Sequence, residues 1–178
     1  MPLLIRKPAF ARASNDFSVT LAALNDVPEM DRIEQAAFAT PWSRELIRSA
    51  ILNRKYQVRV LRAPDLPVAG FYIAHTTGQA SNLDNLVVAP NARRQGYGRR
   101  LVNDWINEAW QQSLSTLTLQ VNTVNGGAQR LYRQFQFRPI RLLVGYYPNG
   151  DDAFQMEMTF AAHLREGRIP PLRDVAGR

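Results

Sequence analysis

The sequence predicts an α+β fold: one central sheet, mostly antiparallel, with helices on both faces. Three observations predict it. Segments of period-two apolar alternation and segments with a 3.6-residue apolar stripe follow one another without the strict strand-helix repeat of a doubly wound sheet. Residues 63–67 and 148–151 carry the prolines and glycine of tight turns, which join antiparallel neighbours. The chain has 178 residues, enough for one domain at a prior of roughly 150 residues each. That domain is expected over residues 17–160. Residues 1–16 and 161–178 hold Pro, Gly, Arg and Ala without periodicity, and read as an N-terminal extension and a basic C-terminal tail.

Taken in order, residues 17–20 alternate as a strand, and Asp26 followed three residues later by Glu29 reads as a capping box opening a helix to about Ala39. Ser43 caps a second helix that reaches about Asn53, with Trp42 before the cap and Ile47 four residues after it placed as a hydrophobic staple. Residues 56–61 and 68–76 form a hairpin across a turn whose prolines do not suit a ladder. A third strand, 81–88, stops at Ala89 and Pro90. After Gly98 the apolar positions 101, 102, 105, 106, 109 and 110 make a helical stripe, and 114–121 returns as a strand. Ala128, Leu131, Tyr132 and Phe135 stripe a further helix, and strands 137–147 and 153–160 close the domain around the Pro148 turn.

Composition limits the chemistry. Apolar residues are 46% and charged residues 21%, as in ordinary globular domains. Cysteine is absent and the histidines are His75 and His163, which excludes disulfides, thiol nucleophiles and the usual zinc clusters, so no metal is expected. No apolar run approaches the ~18 residues of a membrane span, and the first residues lack the order of a signal peptide, so a cytoplasmic protein without a membrane partner is expected. Lysine and arginine number 22 against 15 acids, a net charge of +7. Most of that excess lies between Leu86 and Tyr146, where eight arginines face Asp104 and Glu108. Positive charge alone does not make a nucleic-acid binder, and no helix-turn-helix, zinc-finger or RNA-binding aromatic signature accompanies it.

The segment Arg93-Arg94-Gln95-Gly96-Tyr97-Gly98 lies between the end of a strand and the start of an amphipathic helix. Glycines let backbone amides approach a phosphate, and a helix start favours an anion. An ordinary loop with solvated arginines fits the same residues; neither a Walker loop nor a dinucleotide fingerprint does. With its context, however, it resembles the acyl-CoA pyrophosphate loop of the GNAT superfamily of N-acetyltransferases. Arg93, Gly96 and Gly98 fill the loop pattern, Leu86-Val87-Val88-Ala89-Pro90 matches the preceding strand, and Asn125, Ala128, Leu131, Tyr132 and Phe137 match a second motif. Pro41-Trp42-Ser43 and Tyr146-Tyr147-Pro148 resemble the bacterial branch that acetylates the N-terminal alanine of a small-subunit ribosomal protein.

The resemblance implies a GNAT-type sheet whose central strands splay apart to hold acetyl-CoA, the acyl donor. Leu86, Val87 and Val88 would pair with its pantetheine arm, and Arg93, Arg94, Gln95, Gly96, Tyr97, Gly98 and Arg99 would hold its pyrophosphate. Asn125 would contact it, and Tyr132 would stand near the sulfur as general acid; as residues alone, Tyr132 also fits its helix's apolar stripe. At Gln120 the branch carries a glutamate that serves as general base, a role an amide cannot take. Asp84, on the strand leading to Leu86, is the substitute, or else a partly exposed strand aspartate. Glu108, Asp151, Asp152 and His75 read as structural, and Gln136 replaces a usual glycine at a turn. The implied function is acetyl transfer to a primary amine, a protein N-terminus foremost, by direct attack in a ternary complex. A small-molecule amine acceptor and a non-catalytic acyl-CoA-binding module remain the alternatives, and the oligomeric state is not legible.

Overall fold

The structure, a computed structural model, describes residues 17–160; the expected N-terminal extension and C-terminal tail, with His163, lie outside the described residues. Eleven main elements run β1 (Ser18–Leu21), α1 (Val27–Ala37), α2 (Arg44–Leu52), β2 (Tyr56–Ala63), β3 (Leu66–Thr77), β4 (Ala80–Val88), α3 (Tyr97–Gln111), β5 (Thr116–Asn122), α4 (Gly126–Gln134), β6 (Arg138–Leu143) and β7 (Ala153–Thr159). The strands make one sheet in the order β1-β2-β3-β4-β5-β7-β6. β4 and β5 run parallel, and every other neighbouring pair is antiparallel. The parallel step is the one place that needs a crossover, and α3 supplies it.

The expected α+β architecture with helices on both faces is what forms. α1 and α2 pack on one face, where Asn85 of β4 meets Glu34 of α1. α3 and α4 cover the other, where the Trp105 indole donates to Ser81 of β4 at 2.8 Å and Gly98 of α3 approaches Leu131 of α4. Trp105, Tyr72, Phe71 and Phe137 are among the largest fully buried side chains. Gly70 sets how closely α3 can settle: a Cβ there would stand 2.6 Å from the Val87 carbonyl oxygen and 3.3 Å from Leu101.

Several boundaries differ from the sequence expectation, each for a local reason. The Asp26 carboxylate reaches back one turn to accept from the Ala23 amide at 2.8 Å, in a short 3-10 turn preceding α1, while Glu29 pairs with Arg32. α1 ends at Ala37, where Phe38 turns extended. β3 begins at Leu66 and so includes Pro67, at the irregular end of its ladder with β2. The expected strand 137–147 is confined to Arg138–Leu143, because Phe137 is held by the end of α4 and Gly145 turns the chain with φ +60°. Ser43 caps α2 as expected, its hydroxyl accepting from the Leu46 amide at 3.2 Å.

One irregularity creates the site. The β4–β5 ladder spans only Ala80–Leu83 against Thr116–Leu119. Beyond it β4 continues along β3 to Val88, and β5 continues along β7 to Asn122. The two strands part at Asp84 and Gln120. Asp84 is also the extra residue of a bulge, since Ile73 pairs with Asn85 and Ala74 with Leu83. A bulge bends its strand and increases its twist, which turns β4 away from β5 at that point.

Candidate active site

The wedge between the diverging strands is bounded at its wide end by the 93–98 loop. The chain leaves β4 through a 3-10 turn at Pro90–Ala92 and enters α3 through two residues of positive φ, Arg94 at 67° and Gly96 at 81°. Gly96 is the N-cap of α3. Tyr97, Gly98 and Arg99 open the helix, so their amides have no carbonyl partner within it and point at the same space as the helix dipole. A left-handed residue beside a helix start forms an anion-binding concavity. A Cβ on Gly98 would touch Leu131 at 3.4 Å, so the small residue lets the loop lie close against α4. Arg94, Gln95 and Arg99 are exposed around it, and Arg93 bridges back to the Val88 carbonyl at 3.3 Å. A phosphate-bearing ligand fits this donor set.

Leu86, Val87 and Val88 pair with Tyr72, Phe71 and Gly70 on one side and, among the described residues, meet no strand on the other. Their outer edge therefore lines the wedge with main-chain groups, the arrangement that strand-like pairing with an extended ligand needs.

On the face covered by α3 and α4 lies Tyr132 of α4. The side chain is buried, and burial, with Tyr147 adding to it, pushes its phenol well above the ordinary range. It keeps its proton at any working pH. Its ring stands edge-on to Phe137 at 5.9 Å, and Phe137 stacks on Trp105 at 5.5 Å. Asn125 caps α4 with its carboxamide oxygen, which accepts from the Ala128 amide at 3.0 Å. Tyr147 belongs to the Tyr146-Tyr147-Pro148 segment quoted above. The Asn122 backbone at the end of β5 lies in hydrogen-bonding reach of its phenol, whose titration burial displaces upward.

The opposite face carries polar side chains in register. His75, Asn82, Thr118, Glu157 and Arg138 occupy one transverse row across β3, β4, β5, β7 and β6. The Thr118 hydroxyl donates to Asn82, one pair before the end of the β4–β5 ladder. Gln120 follows on the same face, half-buried and opposite Gln155. Asp84 stands at the branch point, its carboxylate 2.6 Å from Nδ1 of His75, with both side chains partly exposed. Burial raises the Asp84 carboxyl above the usual range, and His75 opposes that rise.

A second carboxylate, Glu34, was not legible as part of the site. Its Oε1 accepts from the Trp42 amide at 3.1 Å and from the Asn85 side chain at 2.9 Å, tying the loop before α2 to β4 just past the bulge. Its Oε2 is buried without a hydrogen-bond partner among the described residues. The signal was its position beside Val27, Met30 and Ile33 on the apolar face of α1. Glu108 is held by Gln57 and Arg59, Asp151 by Asn122 and Asn149, and Asp152 by the Gly145 amide, so these three serve structure as expected.

Comparison with known proteins identifies the family and the fold. Residues 54–139 match the acetyltransferase (GNAT) domain family. The ribosomal protein bS18-alanine N-acetyltransferase of Haemophilus ducreyi is 32% identical over 143 residues, covering 78% of this chain and 94% of that protein. The Escherichia coli (strain K12) protein of the same description is 32% identical over 126 residues, 71% of this chain and 84% of that protein. Among solved structures, the ribosomal-protein-S18-alanine N-acetyltransferase from Escherichia coli superimposes with a TM-score of 0.75 at 27% identity, over 91% of this chain and 99% of that one.

Proposed function

This chain belongs to the GNAT family of acetyl-CoA-dependent N-acetyltransferases, and from that premise we propose that its acceptor is the N-terminal α-amine of a protein, of the ribosomal-protein-alanine kind. The observation that carries the reading is the wedge where β4 leaves β5, with an amide-lined loop at its wide end and a protonated tyrosine beside it. Relatives sharing about a third of their residues over most of the chain are described as ribosomal protein bS18-alanine N-acetyltransferases.

With no cysteine for an acyl-enzyme, the amine attacks the thioester directly. The nitrogen forms a bond to the acetyl carbon, the carbon–sulfur bond breaks with its electron pair on sulfur, and the amine's proton is shed. Amides 94–99 and the arginines beside them hold the phosphates, and the outer edge of Leu86–Val88 aligns the pantetheine arm. Tyr132 donates a hydrogen bond to the departing thiolate. Burial raises this phenol above the ordinary range, so it stands protonated and able to stabilise the negative charge that develops on sulfur.

An α-amine of pKa ~8 is roughly one-tenth neutral at pH 7, and a lysine near ~10.4 only about once in a few thousand molecules. At neutral pH the α-amine is therefore the more readily deprotonated acceptor, whatever group takes its proton. The test is acetyl-CoA with peptides beginning in alanine and with N-terminally blocked lysine peptides, products located by mass spectrometry. Acetylation of the alanine α-amine is expected, with Tyr132→Phe lowering kcat about 10- to 100-fold at an unchanged KM for acetyl-CoA. Equal rates on lysine side chains at neutral pH would overturn the acceptor assignment.

A further inference from the structure

We propose that His75, oriented by Asp84, is the base that accepts the acceptor amine's proton, so that a pair on β3 and β4 does the work Gln120 cannot do. The inference rests on the acetyltransferase reading and adds to it a group that the sequence alone made structural. Its basis is the bulge: by adding one residue to β4, it brings Asp84 alongside His75, whose register partner is Asn82. The Asp84 carboxylate accepts from Nδ1–H at 2.6 Å. That bond fixes the tautomer and leaves the Nε2 lone pair as the proton acceptor. The side chains are 32% and 22% exposed, open enough to exchange protons with a substrate or one bridging water.

The position suits the chemistry. Tyr132, the phosphate loop and α3 occupy one face of the wedge, so an amine meets the thioester from the other. That is the face carrying Asp84, His75 and Gln120. A carboxylate alone, with a reference pKa near ~4, is mismatched by about four units to an α-ammonium near ~8, and an imidazole is closer to the ideal. The titratable side chains facing the ring are Asp84 from β4 and Tyr56 from β2, with ring centroids 5.6 Å apart in the latter case. Glu34 of α1 is engaged by Asn85 and Trp42, and Glu157 of β7 lies two strands beyond Asn82 in the same row. In the balanced step, the ammonium gives one proton to Nε2 and its freed lone pair forms the carbon–nitrogen bond. As the carbon–sulfur bond breaks, the nitrogen loses a second proton, one proton ends on sulfur, and Nε2 returns its own to water.

The test is kcat/KM for an alanine-initiated peptide from pH 6.5 to 9.5, for the native protein, His75→Gln and Asp84→Asn. At pH 7 the His75→Gln rate is expected to fall about 10-fold, the factor set by the neutral fraction of an α-amine, and the deficit to close above pH ~9 where the amine deprotonates unaided. Asp84→Asn should show a smaller deficit with the same convergence, and KM for acetyl-CoA should not move in either. Adding Gln120→Glu to His75→Gln should restore the rate at pH 7. A deficit independent of pH, or none, overturns the pair. Should His75→Gln fail to fold, Asp84→Asn carries the same pH criterion. Binding of acetyl-CoA without transfer to any amine by the native protein would overturn the acceptor reading and this inference together, whereas transfer with unchanged variants overturns the pair alone.

Discussion

Glu34 shows how far a single side chain can be from its sequence appearance. It is 1% exposed, and burial holds its carboxyl above the usual range despite the Trp42 and Asn85 bonds that oppose the rise. A raised folded-state value means the folded chain binds the proton more tightly than the unfolded one. Stability therefore falls as pH climbs from the ordinary carboxylate value through the raised one, and stays lower above it. Glu34→Gln keeps the oxygen that accepts from Trp42 and Asn85 and removes the charge. The variant should melt above the native protein at pH 7 and lose that advantage below pH ~4; a variant less stable by the same margin at both would show that the charge is compensated. Tyr132, Asn125 and the 93–98 loop were singled out through the family resemblance, while local spacing showed only the elements that carry them: a turn into a helix, an apolar stripe, a glycine pair before a helix. Glu34 and His75 were not, because their partners Asn85 and Asp84 lie on β4, at a register that a bulge decides.

At the scale of elements, α4 is the part that holds Tyr132 in place, and its C-terminus shows how. The Phe137 amide donates to the Tyr132 carbonyl at 3.2 Å and the Gln136 amide to the Arg133 carbonyl at 3.0 Å, while the Phe137 ring meets Tyr132 edge-on. These are the paired bonds and apolar contact of a Schellman motif, which requires a left-handed residue between them. Gln136 supplies it at φ +70°, where a side chain costs about 1–2 kcal/mol. Gln136→Gly removes that strain and adds back roughly 0.5–1 kcal/mol of unfolded-chain entropy, so a net gain of about 0.5–1 kcal/mol is expected in denaturant titrations. A loss would mean that the glutamine's own contacts outweigh the strain. Element types and most boundaries were legible from periodicity and caps. The exceptions lie where tertiary demands override local pattern, as when Phe137 is drawn out of β6 into the end of α4 and the Asp26 carboxylate caps the turn before its helix.

For the whole molecule, the net charge of +7 has a definite geography. The acids that interrupt the basic stretch are consumed internally: Arg59 binds Asp104 at 3.1 Å and Glu108 at 3.3 Å between the sheet and α3. Arg62 likewise takes Asp26, and Arg44 takes Asp31. Arg93, Arg94 and Arg99 sit exposed at the wide end of the wedge, in the same space as the unpaired amides of α3. That is the end of the wedge where the donor's phosphates are proposed to bind. The order of motifs made the overall fold legible, but the splay itself was expected only through family resemblance; the residue where the ladder stops depends on a bulge that alternation does not reveal. Exposed charges separated by more than ~10 Å are screened at 0.1 M salt, and the screening length drops to about 3 Å at 1 M. Raising salt across that range should therefore raise KM for acetyl-CoA about 3- to 10-fold, while a truncated acetyl-pantetheine donor lacking the phosphates should change little. Arg94→Gly, which keeps the left-handed backbone and deletes the charge, should flatten the acetyl-CoA salt response. Equal salt sensitivity for both donors would detach the arginines from phosphate recognition and leave the backbone amides as its main source.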